Sequence, residues 1–125
     1  MTYRSVEESR EVGIAYHLVP APVWAAQKDA ATYLPEAFAQ DGFIHTTNGL
    51  DRLLWVANEF YTGDDRPYMV LVLDGPKLTS EVRCGGPEQA FPHIYGPLNT
   101  DAVIGELEVR RDADGRFTGF GVEVR

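Results

Sequence analysis

Basic residues, cysteine and long apolar runs are all scarce in this sequence. Eleven Lys and Arg stand against nineteen Asp and Glu, a formal net charge of −8. Nucleic-acid binding draws most of its affinity from basic side chains on phosphates, so this balance argues against a polyanionic partner. The one adjacent basic pair, Arg110-Arg111, is followed at once by Asp112 and Asp114. A lone cysteine, Cys84, can close no internal disulfide, which fits a reducing cytoplasm. The longest apolar run, YMVLVL at 68–73, falls far short of the ~20 residues that cross a bilayer. The opening MTYRSVEESREVG is polar and lacks the basic-then-apolar plan of a signal peptide. The expectation is a cytoplasmic protein with a small-molecule ligand, and neither nucleic acid nor membrane as partner.

What is present is ordinary for a globular chain. With 44% apolar and 24% charged residues over 125 positions, the composition supports one domain able to fold without disulfide or structural metal. Residues 1–12 read as a loose tail. IAYHLV at 14–19 reads as a strand, bounded by Gly13 and Pro20. Pro20 and Pro22 then open a helix through VWAAQKDA, and a second short helix is expected around TYLPEAFAQDG, stopped by Gly42. FIHTT at 43–47 is a short extended piece.

The clearest element follows. Leu50, Leu53, Leu54, Ala57, Phe60 and Tyr61 recur at helical spacing and share one face, with Thr47 or Asn48 as N-cap and Gly63 as stop. YMVLVLD at 68–74 is apolar at nearly every position and reads as a central strand buried on both faces. SEVRC at 80–84 is a further strand, and 85–97 reads as loop. TDAVIGELEVR alternates Val103, Leu107 and Val109 against Glu106, Glu108 and Arg110, with a bulge expected at Gly105. DADG then turns the chain, making 100–125 a C-terminal hairpin. Helices in the first half and strands in the second give an α+β domain with a split mixed or antiparallel sheet.

The chemistry rests on His17, His45 and His93. Taken singly, a histidine on a strand has a structural explanation. His45, however, is followed by Thr46 and Thr47 and then by a helix start, where free N–H groups and a partial positive charge suit a phosphate. His93 and Tyr95 lie between Pro92 and Pro97, and on extended backbone they point to the same side. A proline-stiffened segment presenting imidazole and phenol suits a pocket wall. Arg83 is a further anion contact. Three imidazoles are also a possible zinc set, but no HxH, HExxH or CxxC spacing brings two together on one element, and no metal is expected.

AYHLVPAPVW, YLPEAFAQDGFIHTT and FPHIYGPLNTDAVIG resemble the signature blocks of a small bacterial family known as domain of unknown function 952, across about residues 14–109. The fold of that family resembles the ADP-ribosyltransferase fold, shared with RNA 2′-phosphotransferases, whose split sheet binds NAD. The resemblance implies that His17 on the first strand contacts the dinucleotide and that GFIHTT lies near the nicotinamide. Leu18 stands where many transferases carry glycine, and PHIYG lacks their catalytic glutamate, Glu88 being nearby but outside the motif. The expectation is a cleft lined by His17, His45, Thr46, Thr47, His93 and Tyr95. His45 and His93 would serve as acid and base, and His17, Thr46, Thr47, Tyr95 and Arg83 would hold NAD or a related ribose-phosphate nucleotide. Such a site supports ADP-ribosyl- or phosphotransferase-like or glycohydrolase-like chemistry. A nucleotide-sensing module without turnover and a three-histidine metal hydrolase are the alternatives.

Overall fold

The computed structural model describes residues 2–4, 13–85 and 90–123. Among the described residues, ten strands and three α-helices follow one another as β1 (Thr2–Arg4), β2 (Ile14–Pro20), α1 (Ala21–Ala25), β3 (Thr32–Tyr33), α2 (Phe38–Asp41), β4 (Ile44–His45), α3 (Leu50–Phe60), β5 (Tyr68–Asp74), β6 (Glu81–Gly85), β7 (Phe91–Tyr95), β8 (Leu98–Asn99), β9 (Val103–Arg111) and β10 (Phe117–Glu123). The class is α+β, and every strand pair is antiparallel. All three helices precede residue 61, but strands run through the first half as well. Within the N-terminal stretch expected to be a tail, Thr2–Arg4 pairs with β6. The rest of that stretch, and Glu88, lie outside the described residues. No helix among the described residues is long and apolar enough to cross a membrane.

Two four-stranded sheets carry the fold, one ordered β1-β6-β7-β4 and the other β10-β9-β5-β2. Their inner faces meet in the larger core, where Val82, Ile94 and Ile44 from the first pack with Val19, Leu71 and Leu73 from the second. On the far face of the second sheet, Leu18, Val70 and Phe117 receive Leu53 and Ala57 of α3. β5 therefore lies between layers, which is why its sequence is apolar almost throughout: Leu71 and Leu73 face one core, Tyr68 and Val70 the other.

α3 departs from its expected form at both ends. Its N-cap is Gly49, at φ 96°, with no side-chain cap from Thr47 or Asn48, and its C-cap is Tyr61. Phe60, expected on the buried face, is 70% exposed, because it stands at the rim of a cavity. α2 does end at Gly42 in the left-handed conformation, φ 77°, where a side chain would be strained. The bulge lies where it was expected: β5 and β9 slip register between Val72, opposite Gly105, and Leu73, opposite Val103. That slip turns Glu106 inward, against the alternation read from sequence. Its carboxylate is buried and accepts the Trp24 indole N–H at 2.8 Å.

FPHIY is strand β7, not loop, paired with β6 on one side and β4 on the other. Pro92 is tolerated there because its carbonyl still accepts the Thr46 N–H at 3.2 Å, so the ring removes only the return bond. Since Leu53 is almost wholly buried between α3 and the second sheet, Leu53→Ala should destabilise the protein by about 2–5 kcal/mol in urea denaturation. The half-buried Leu54 should cost less.

Candidate functional site

Residues 44–48 belong to both sheets. On one edge Ile44 pairs with Ile94, and the N–H groups of Thr46 and Asn48 donate to the carbonyls of Pro92 and Ala90. On the other edge Thr47 exchanges both backbone bonds with Tyr16 of β2, each at 2.9 Å. An antiparallel ladder continued from that pair would next bond Leu18 to His45. Instead the strands part. Nδ1 of His17 lies 2.7 Å from the His45 carbonyl oxygen and takes the acceptor that the ladder would have used.

This bond fixes the tautomer. A carbonyl only accepts, so Nδ1 carries the proton, and Nε2 accepts from the Tyr33 hydroxyl at 2.8 Å. Burial holds the His17 pKa down to about 4, so the ring is neutral near pH 7. Both ring nitrogens are thus committed to protein partners. His17 shares the inner face of β2 with Ala15 and Val19, whereas His45 and His93 project from the opposite face of their sheet. The expectation that all three imidazoles open onto one cavity is therefore corrected. They also converge on no common point for a metal, and the described residues hold no group of three or more metal-ligating side chains suitably placed.

Two cavities adjoin where the strands part. One, of about 440 Å³, lies between β2, the α2 segment and the loop before β5, with Tyr16, Phe43, Tyr61 and Tyr68 among its walls. The other, of about 530 Å³, lies between α3 and β7 and is walled by Trp55, Phe91 and His93. His45, Thr47, Val56, Phe60 and Tyr61 belong to both. His17 lines only the first and His93 only the second; His45 stands between them.

The strands place a row of rings beside that junction. His45 and His93 are direct cross-strand neighbours, with ring centroids 5.6 Å apart. Phe43 stacks on His93 at 4.2 Å and meets Tyr95 at 5.2 Å, and the Arg83 guanidinium lies 4.2 Å over Tyr95. His93 and Tyr95 do share a face, as alternation requires. Tyr95 and Arg83, however, line neither cavity and brace Phe43 from behind. Partial burial, with the nearby His45 charge second, lowers the His93 pKa and favours its neutral form.

The threonines are placed differently from expectation. Thr46 is buried and its hydroxyl donates to the Pro92 carbonyl, while the Thr47 backbone joins the sheets. Neither caps α3. In their place the rim carries groups that the sequence reading passed over. Asp41 Oδ2 lies 2.9 Å from His45 Nε2. Arg66 reaches Glu36 at 3.0 Å and Asp64 at 2.7 Å, and Tyr68 donates to Asp64 at 2.8 Å. Asp64 is held well below the usual carboxylate range chiefly by its bonds from Arg66. One signal was available: Asp41 and His45 stand four residues apart across a glycine stop.

The buried neutral imidazole has a consequence for stability. The folded pKa of His17, about 4, lies below its unfolded value of 6.5. Between these values the unfolded chain binds more protons, so stability falls as pH falls from 6.5 toward 4 and is fully present above that window. The window corresponds to about 3 kcal/mol at 1.36 kcal/mol per unit. Urea denaturation of the wild type and of His17→Gln at pH 7 and pH 4 measures this. The variant should start lower, having lost buried bonds, and show a shallower acid loss.

Comparison with known proteins gives the same architecture a lineage. No curated protein matches the chain. Among solved structures, the crystal structure of protein CC0527 from Caulobacter crescentus is similar, with a TM-score of 0.70 and 25% identity, covering 84% of this chain and 93% of that one. The solution NMR structure of CC0527 matches with a TM-score of 0.60 and 28% identity, covering 82% of this chain and 89% of that one. A family of proteins of unknown function, DUF952, matches residues 18–106, which include β2 past His17, the shared segment 44–48 and all of β7. That span takes in most of the walls of both cavities, and the chain belongs to this family.

Proposed function

We propose that the protein binds NAD or a related ribose-phosphate nucleotide across the two cavities, with one end of the ligand on each side of His45. The observation that carries this reading is that two aromatic-walled compartments meet at one exposed imidazole, an arrangement suited to a ligand with two ring-bearing ends. The backbone of β2 supports it. Tyr16 spends its N–H on Thr47, so the β5 ladder uses the odd-numbered residues of β2, and the N–H and C=O of Leu18 face the parting of the strands. A donor and an acceptor side by side suit a carboxamide. The split antiparallel sheet is also the form expected of an ADP-ribosyltransferase-like fold.

His45 and His93 remain the proposed acid–base pair for transfer or hydrolysis at the ribosyl carbon. In hydrolysis, neutral His93 accepts a proton from water as the new C–O bond forms. The C–N bond breaks with its electron pair passing to the ring nitrogen. Asp41, bonded to His45, supplies the carboxylate that the FPHIYG strand lacks. Thr47 and Phe43 contact the ligand; Tyr95 and Arg83 act through Phe43. A sensing module without turnover is the second reading, favoured by the engagement of Asp41 with His45 in place of a free catalytic carboxylate.

Calorimetry with NAD, ADP-ribose and a short oligonucleotide, followed by a turnover assay on NAD, tests both readings. NAD or ADP-ribose should bind and the oligonucleotide should not. Because the His45 side chain is 52% exposed, His45→Ala should stay within about ±0.5 kcal/mol of wild-type stability. It should weaken nucleotide binding by roughly tenfold. A His45→Ala variant that binds nucleotide like wild type removes the imidazole from the site.

A further inference from the structure

We propose that the cavity between β2 and the α2 segment selects organic cations, taking a planar or ammonium head between aromatic faces under a carboxylate rim. This deepens the nucleotide reading, and rests on it only in treating the cleft as a ligand site. It replaces the phosphate pocket expected at the start of α3, since neither threonine hydroxyl serves that helix end.

The first reason is the balance of charge around the opening. Three carboxylates from separate segments line it: Glu36 before α2, Asp41 at its end and Asp64 ahead of β5. Arg66 is the one guanidinium in the lining and is shared between Glu36 and Asp64. Three negative groups against one positive leave two negative charges before His45 is counted. The second reason is the walls. Tyr16, Phe43, Tyr61 and Tyr68 line it, and the negative quadrupole of an aromatic face favours a cation over a neutral group of the same shape.

The phenols report the same field. Tyr33 and Tyr61 are raised above the ordinary tyrosine range first by burial and then by Glu36 and Asp41 respectively. Tyr68 is raised by burial and by its bond to Asp64. A further negative charge in this cavity is opposed from three sides. The neighbouring cavity differs: among the described residues, its lining holds His45, His93, Thr46 and Thr47 and no carboxylate. The pair of cavities therefore suits a ligand that is positive at one end and negative at the other.

Three planar probes of matched size isolate the charge: benzamidine, a cation; benzamide, neutral; and benzoate, an anion. Each is titrated into isotope-labelled protein and followed by NMR. Benzamidine should shift resonances around Asp41, Phe43 and Tyr61 and bind at least about tenfold tighter than benzamide, with benzoate leaving them unmoved. Asp41→Asn should reduce benzamidine binding severalfold with an unchanged thermal melt, and added salt should weaken it. Equal binding of benzamide and benzamidine, benzoate entering the cleft, or benzamidine shifts confined to other surfaces would overturn the proposal. NAD titrated in parallel separates the two ideas. NAD bound in the cleft without cation preference among the probes defeats charge selection alone, whereas no binding by NAD or any probe defeats both.

Discussion

The hydrogen bond from the His17 ring to the His45 carbonyl decides where the sheet stops being continuous. Without it, the Tyr16–Thr47 pair would be the start of an ordinary ladder, and Leu18 would close against His45. An imidazole reaches the carbonyl across a wider separation of the two backbones than a backbone N–H could. The strands are held apart yet still joined, and the His45 carbonyl keeps a donor. With the ring neutral, its other nitrogen accepts from Tyr33. Tyr33 in turn is wholly buried against Trp24, whose indole donates to Glu106. One chain of contacts thus runs from the cleft through the core to the bulged strand β9.

The sequence was most legible where one physical signal acted alone. α3 has a helical stripe, β5 is apolar on both faces, and the turn at 112–115 carries its own punctuation; each formed within a residue or two of expectation. Legibility failed where two constraints overlapped. Pro92 and Pro97 read as loop, yet a proline in a paired strand removes a single bond. In β7 that missing bond falls beside Thr46, just before the shared segment turns its next residue, Thr47, toward β2. Glu106 read as solvent-facing because alternation was counted through Gly105, where the register slips.

The site shows the same division. His45 and His93 were expected only to line one cleft; that they are direct cross-strand neighbours was hidden because 85–97 read as loop. His17 was given to the ligand, although the structural explanation of a strand histidine fits it better. No pattern in sequence reveals that its two nitrogens meet a carbonyl and a phenol from residues 28 and 16 positions away. The acidic rim was hidden for another reason. Glu36, Asp41 and Asp64 are unremarkable singly, and only the fold assembles them around one opening.

His45 joins scaffold and site in a single residue, but through different atoms. Its carbonyl oxygen is held by His17 and sets the parting of the strands, while its ring stands between the cavities and bonds Asp41. A side-chain substitution leaves the carbonyl in place, so the split survives changes that alter its chemistry. The reverse does not hold. Replacing the His17 ring removes the donor on that carbonyl, at a residue that forms part of the wall common to both compartments. Protonation of His17 keeps that bond but turns the acceptor toward Tyr33 into a second donor, so the phenol must turn to accept. The hydrogen-bond pattern behind the cleft is therefore conditional on His17 staying neutral. The low pKa of that buried ring keeps the condition met throughout the neutral range.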